Sequence, residues 1–164
     1  MKFENGEAFL TQLRIIFYAL LAGPLLLFFF LILQEKNGNL SVYWEVGDSV
    51  LFVRWSIGLV LAGLTGFAYV MYNKSLAVVR VQGSLREKLR QYWAVNMKKY
   101  VLMSASCILA LFAHFLTLDP IFKAVYIFVM IIMAISSPGL YSLLKDLRAN
   151  REEAIILKKN LPIP

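Results

Sequence analysis

Four long apolar runs, separated by short polar segments, predict that this chain is built from membrane-spanning helices. The runs cover residues 9–33, 50–72, 100–118 and 120–144. Each is close to the roughly 20 apolar residues that a helix needs to cross a bilayer. Residues 15–33 contain no charged side chain. Because this stretch is longer than the apolar region of a signal peptide, about 7 to 15 residues, we interpret the first run as a retained span.

The polar segment between the second and third runs, residues 74–99, is basic and helical in pattern. It carries seven Lys and Arg residues. Gly83 is a candidate left-handed end for the second helix, and Ser84 to Glu87 has the S-x-x-E pattern of a capping box that begins the third. We therefore expect a tight helical hairpin that projects from the membrane. Its candidate contacts to lipid headgroups or a partner are Arg86, Arg90, Trp93, Lys98 and Lys99, with an apolar side at Leu85 and Leu89.

The distribution of positive charge predicts the orientation of the chain. Fourteen Lys and Arg residues lie near the two termini and in the connector, against three on the opposite side. Because cytoplasmic loops are enriched in Lys and Arg, both termini and the connector should be cytoplasmic. The predicted fold is an all-α integral membrane four-helix bundle of two helical hairpins, with helices 2 and 3 extending into the cytoplasm. A cytoplasmic helix over 145–159 follows, and the tail either lies along the membrane surface or docks on the hairpin.

Small residues mark the faces on which the spans are expected to pack. Gly58, Ala62 and Gly66 recur at four-residue spacing, with Gly63 beside them, and Ser106 and Ala110 share a face of the third span. In lipid, helices associate through close backbone approach, which small residues permit. Packing within the chain is the preferred interpretation of the Gly58 face, and contact with another protein is the alternative.

Two prolines predict bends within the spans. Gly23-Pro24 predicts a kink in the first span that frees the carbonyl of Leu20, which then needs a partner. Pro138-Gly139, after two serines, predicts a kink in the fourth. The second interruption is typical of kinked packing helices and also of transporter binding sites.

The remaining polar residues indicate packing or interfacial positions. Asp119 and Pro120 have the order of an N-cap and first helical residue, and so begin the fourth span. Arg54 is expected to snorkel, with Glu45 or Asp48 as its counter-charge. The only histidine, His114, is interpreted as a structural residue, with a proton relay or haem ligand as the alternative.

Composition agrees with a membrane protein and argues against several functions. Hydrophobic residues make up 60% of the chain and charged residues 16%, whereas soluble domains average about 45–50% and about 25%. The net charge of +7 is explained by residues that flank apolar spans, so we expect anionic lipid headgroups and no nucleic acid as partners. A single cysteine, Cys107, excludes an intramolecular disulfide. No metal or cofactor constellation is evident.

The segments 20–23 (Leu-Leu-Ala-Gly) and 84–89 (Ser-Leu-Arg-Glu-Lys-Leu), with the charged extension after the fourth span, resemble a group of small four-span bacterial inner-membrane proteins. The resemblance covers most of the chain and supplies no activity. Relatives in the group, as the resemblance implies, can carry an acidic residue in span 3. Residues 103–106 of this chain, Met-Ser-Ala-Ser, have none.

These patterns favour a non-catalytic membrane protein over an enzyme. The middles of the four spans lack Asp, Glu, Lys and Arg, whereas an enzyme or ion-coupled transporter usually places such groups in a pocket. We therefore expect an accessory or scaffold subunit that packs with other membrane proteins or with itself. The alternative is a small passive channel or carrier for a small solute.

The predicted orientation can be tested by labelling. A cysteine placed at Gly38 should react with a membrane-impermeant thiol reagent only from the outside, because the loop after the first span is expected to face outward. A cysteine placed in the connector is the matched control and should react only from the cytoplasmic side. Labelling of the Gly38 variant solely from the cytoplasm would contradict the orientation.

Overall fold

The computed structural model describes residues 4–41 and 50–163, and these ranges are entirely helical apart from turns. The helices are α1 (Gly6–Lys36), α2 (Val50–Arg80), α3 (Leu85–Thr117), α4 (Pro120–Ile135), α5 (Leu140–Leu147) and α6 (Arg151–Lys158). The absence of strands from these ranges confirms the prediction of an all-helical chain. α1, α2 and α3 are long and apolar enough to cross a membrane, and α4 with α5 makes a fourth candidate if this bent pair is one span.

Side-chain caps begin α3 and α4 where the sequence places them. Ser84 Oγ accepts a hydrogen bond from the Glu87 N–H at 3.3 Å, and Asp119 Oδ1 accepts one from the Ile121 N–H at 3.0 Å. Gly83 differs from the prediction, since the only positive-φ glycine among the described residues is Gly38. The turn at 81–84 needs no left-handed glycine because Ser84 enters α3 from an extended conformation, with φ −108° and ψ 142°.

α3 is the helix around which the others pack. Its most extensive contacts are with α2, α4 and α1. Half of its most apolar stretch is buried, against 17% for α1 and for α2. α3, and not the sequence neighbour α2, is thus the main partner of α1. α1 and α2 leave more of their apolar stretches exposed than α3 does.

The larger of two hydrophobic clusters lies at the connector end, which we define as the end that holds residues 81–84. Each of the helices α1 to α6 contributes to it, including the two short C-terminal ones. Its buried members include Phe9, Leu13, Tyr72, Leu76, Leu89, Tyr92, Met133, Leu143, Leu147, Leu157 and Ile163. A smaller cluster contains Leu61, Cys107, Ala110, Leu111, Tyr126 and Val129.

The single C-terminal helix predicted over 145–159 is wrong, because the chain forms two short helices there. α5 ends at Leu147, and Arg148 adopts a left-handed conformation with φ 48°. A new helix then begins with a reciprocal capping box: Asn150 Oδ1 accepts from the Glu153 N–H at 2.8 Å, and Glu153 Oε2 accepts from the Asn150 N–H at 3.0 Å. This box stabilises a new helix start in the middle of the predicted helix.

The C-terminal segment folds back onto the connector hairpin and onto the start of α1. Lys88 Nζ donates to Glu153 Oε1 at 2.7 Å, and Arg86 donates to the Ile163 carbonyl at 2.9 Å. The Ile163 N–H donates to the Glu4 carbonyl at 3.0 Å. Of the two arrangements that the sequence allows for the tail, docking on the hairpin is therefore the one observed.

α5 is turned away from α4 by 80° at the break over residues 136–139, and Asp146 holds it in that position. Asp146 Oδ2 accepts hydrogen bonds from the Tyr72 hydroxyl at 2.7 Å and from the Tyr92 hydroxyl at 3.1 Å. Arg80 Nε donates to the Asp146 carbonyl at 2.7 Å. One residue of α5 is thus bonded to both helices of the connector hairpin.

We expect Asp146→Ala to destabilise the protein by about 3 kcal/mol, because two tyrosine hydroxyls lose a charged acceptor and such bonds contribute about 1.5–3 kcal/mol each. The measurement is the thermal unfolding of the purified protein in detergent. Lys145→Ala is the matched control, since Lys145 is exposed on the same helix. Equal melting temperatures for the two variants would contradict the role of Asp146.

Candidate functional site

An open apolar groove runs between α2 and α4, which touch each other only sparsely. Two cavities of about 430 and 330 Å³ lie along it, and both are lined by Gly58, Ala62 and Val125. Apolar side chains such as Leu59 and Phe128 form its rims. The groove is an uncovered surface on the apolar part of two membrane helices.

Polar contacts join α2 and α4 at each end of this groove. At one end, Arg54 Nε of α2 contacts the Asp119 carboxylate, which also caps α4. At the other, the Tyr69 hydroxyl of α2 lies 2.7 Å from Ser136 Oγ at the end of α4. The two helices are therefore bridged at both ends, with the small residues of α2 between the bridges.

The small residues Gly58, Ala62 and Gly66 of α2 line the groove, with Gly63 beside it, and they are not packed against the rest of the described chain. A Cβ atom built at Gly58, Gly63 or Gly66 meets no heavy atom within 4 Å, and Ala62 is exposed. The preferred interpretation, close packing within the chain, is therefore wrong for this face. α4 lines the other side of the groove with Val125, Phe128, Val129 and Ile132, and the two helices touch only sparsely.

The small residues of α3 are packed, in contrast to those of α2. Ser106 and Ala110 are fully buried. The Ser106 hydroxyl donates to the Leu102 carbonyl of its own helix at 3.0 Å, which satisfies this polar group inside the protein. Ala110 belongs to the smaller hydrophobic cluster, with Leu61 and Tyr126. These two residues therefore allow α3 to pack at the centre of the protein.

Charged groups join the helix ends opposite the connector. Lys123 Nζ donates to Glu35 Oε2 at 2.8 Å, which links α4 to the end of α1. His114 Nδ1 lies 3.1 Å from the Asp119 carbonyl oxygen, and Nε2 lies 3.5 Å from Glu35 Oε2. Nδ1 thus contacts the backbone of the turn between α3 and α4. Glu45 and Asp48, the partners that the sequence suggests for Arg54, lie outside the described residues.

The proline of α1 does not interrupt the helix, because other helices bond its backbone groups. Gly23 and Pro24 lie inside α1, which is one continuous helix. Ser104 Oγ of α3 donates to the Leu20 carbonyl at 3.0 Å, and the Tyr126 hydroxyl of α4 donates to the Pro24 carbonyl at 3.2 Å. Ser104 is thus the partner that the freed Leu20 carbonyl requires.

The break at Pro138 and Gly139 is sharper than a kink, and its polar groups are also used within the chain. Arg14 Nε donates to the Pro138 carbonyl at 3.1 Å, and the Tyr100 hydroxyl donates to the Ser136 carbonyl at 3.1 Å. The Gly139 N–H donates to Ser142 Oγ at 3.0 Å. These hydrogen-bonding groups at the break over residues 136–139, which we call the elbow, are therefore bonded within the chain and are not presented to a substrate.

The predicted contact residues of the connector divide into exposed and packed side chains. Arg86, Arg90 and Lys98 are exposed. Lys99 is only 5% exposed, with Nζ 4.1 Å from the centre of the Tyr72 ring. Trp93 is half-buried against the larger cluster. Lys99 is therefore a packing residue, and Trp93 packs on one side against the larger cluster.

The apolar side of the connector is covered by the chain itself. Leu85 and Leu89 are buried in the same cluster as Leu157 and Ile163 of the C-terminal segment. Docking of this segment covers the apolar part of the surface that the sequence suggests for a partner. An apolar surface that stays uncovered is the groove between α2 and α4.

The network around Asp146 is the feature that sequence reasoning missed. Its signal is an acidic residue between Leu143, Leu144 and Leu147. A carboxylate on or beside an apolar face needs a donor. Tyrosines at the ends of predicted spans, here Tyr72, are the donors that such a search would consider.

The described residues hold no group of three or more His, Cys, Asp or Glu side chains that could bind a metal ion. Comparison of the chain with protein-family models, with curated proteins and with solved structures finds no match in any of the three. The resemblance to small bacterial membrane proteins stays a prediction.

Because the groove is open, the glycines that line it should tolerate alanine. We expect Gly58→Ala and Gly66→Ala each to stabilise the isolated protein by about 0.5 to 1 kcal/mol through helix propensity, as measured by thermal unfolding in detergent. Gly6→Ala is the control, because its new Cβ would lie 3.0 Å from Leu157 Cδ2 and 3.3 Å from the Leu157 carbonyl oxygen. Destabilisation by the two groove substitutions would show that they meet a neighbouring helix.

Proposed function

We propose that this protein is a non-catalytic accessory or scaffold subunit of a membrane complex, and that the groove between α2 and α4 receives a transmembrane helix of another subunit. The observation that carries this proposal is the uncovered small-residue face of Gly58, Ala62 and Gly66 inside that groove. A stripe of small residues lets a second backbone approach closely, which is the main source of helix association in lipid.

The chemistry of the groove selects the kind of partner. Its walls are apolar between the two polar bridges, and the exposed charge at its edge is that of Arg54, which is already paired with Asp119. A helix that enters must therefore be apolar along its length. The partner can be another protein or a second copy of this chain, because either supplies such a helix.

The use of polar groups within the chain favours this function over the passive carrier. A carrier for a polar solute presents hydrogen-bonding groups to a cavity. The groups at the break near Pro138 are instead bonded to Arg14, Tyr100 and Tyr69. The groove supplies shape and apolar surface, which suit a helix.

The proposal includes a membrane arrangement. The chain crosses the membrane four times as two helical hairpins, with α4 and α5 as one bent span, and the termini and connector are cytoplasmic. The excess of Lys and Arg at the connector and termini supports this orientation. The resemblance noted from the sequence supports a bacterial inner membrane as the location.

Photo-crosslinking in native membranes tests the proposed function. A photoreactive residue at Leu59, which is exposed on the rim of the groove, should cross-link a membrane protein or a second copy of the chain. Gly58→Leu and Gly66→Leu fill the groove and should reduce the cross-linked product about tenfold, as expected for a loss of about 1.4 kcal/mol of binding free energy.

Gly63→Leu is the matched control, because Gly63 is on the same helix but does not line either cavity. This variant should keep the cross-link. Absence of any protein cross-link at Leu59, or an equal yield in all three variants, would overturn the proposed function.

A further inference from the structure

A separate cavity, of about 280 Å³, opens at the connector end between the start of α1, the start of α5 and the end of α6. It differs from the groove between α2 and α4 in its charge, because two cations line it, whereas the cation at the edge of the groove, Arg54, is paired with Asp119. Arg14 of α1 and Lys158 of α6 both face this cavity, and both side chains are exposed. The fold-back of the C-terminal segment brings these two cations together from positions 144 residues apart in the sequence.

Arg14 is held in place by its own helix and the elbow. Its Nε donates to the Pro138 carbonyl at 3.1 Å, which leaves the two terminal nitrogens of the guanidinium without an acceptor among the described residues. A guanidinium that is fixed through one nitrogen presents the others in a defined direction. This geometry suits an oxygen-rich anion such as a phosphate.

One carboxylate also lines the cavity, and it is engaged by a neighbour. Glu7 Oε2 accepts a hydrogen bond from Asn160 Nδ2 at 2.7 Å, and Asn160 Oδ1 accepts from the Glu7 N–H at 2.9 Å. Two cations and one carboxylate leave the cavity with a net positive charge. Lys158 takes part in no ion pair among the described residues.

The cavity also offers apolar surface and lies at the boundary of the apolar part of α1. Leu10, Leu140 and Leu157 form its apolar lining. Arg14 directly precedes residues 15–33, the uncharged run of α1. A cation at this position lies at headgroup depth when α1 crosses a bilayer. α5, turned by 80° from α4, begins beside the cavity.

From this combination we propose that the cavity binds the headgroup of an anionic phospholipid, with Arg14 and Lys158 on the phosphate and the leucines against the first part of an acyl chain. Charge complementarity selects an anion. The apolar lining and the position next to the uncharged run of α1 select a lipid over a free phosphate ion. The site is formed by helices other than α2, so it does not depend on the proposed function.

Titration of the delipidated protein in detergent tests the site with three probes. These are phosphatidylglycerol, phosphatidylcholine with the same acyl chains, and inorganic phosphate. We expect phosphatidylglycerol to bind and to raise the melting temperature, and the other two to bind at least about tenfold more weakly. Equal binding of phosphatidylcholine would overturn the selection by charge. Equal binding of inorganic phosphate would overturn the assignment to a lipid.

Variants locate the binding. Lys158→Gln should weaken phosphatidylglycerol binding about tenfold through the loss of one charge-assisted contact, and Arg14→Gln should weaken it further. Lys145→Gln and Lys159→Gln remove the same charge outside the cavity and should leave the affinity within about twofold. Because Arg14 also bonds the Pro138 carbonyl, its substitution can change the fold as well as the binding. The result for Lys158→Gln therefore decides whether the cavity is the lipid site. An unchanged affinity in that variant, or an equal loss in the two controls, would overturn the site.

Discussion

A helix that is bent or broken inside a membrane must satisfy its freed backbone groups within the protein, because no water is available there. This constraint governs the architecture of the described chain. The Leu20 carbonyl, four residues before Pro24, is bonded by Ser104 of α3. The carbonyls at the break before α5 are bonded by Tyr100 and Arg14. Each of these three carbonyls thereby makes a specific contact with a side chain of another helix, and α3 supplies two of the three donors.

The elbow has a further consequence for the surface of the protein. Because α5 leaves the direction of α4 by 80°, Asp146 reaches the tyrosines of the connector hairpin and the chain continues as α6 over that hairpin. Leu85 and Leu89 are buried as a result. The sequence suggests that the basic connector is a hairpin that binds a partner. In the structure, its apolar side packs against the chain itself.

Local signals predicted the local structure well. The caps at Ser84 and Asp119 and the break at 136–139 are encoded by short motifs that act within one turn of helix. Contacts between distant segments were not predictable in this way. Periodicity correctly groups Gly58, Ala62 and Gly66 on one face, but it contains no information on which neighbour covers that face. Lys99 was misassigned for the same reason, since its ammonium group lies over the ring of Tyr72 from α2.

The two bridges between α2 and α4 explain why the groove stays open without a partner. Arg54 with Asp119 at one end, and Tyr69 with Ser136 at the other, hold the helices at positions that their sparse contacts alone would not define. Between these bridges the small side chains of α2 remove the atoms that would otherwise fill the space. A helix that enters such a groove does not have to separate α2 from α4. The free-energy cost of reorganising the protein on binding is then smaller, which is the advantage of a preformed site.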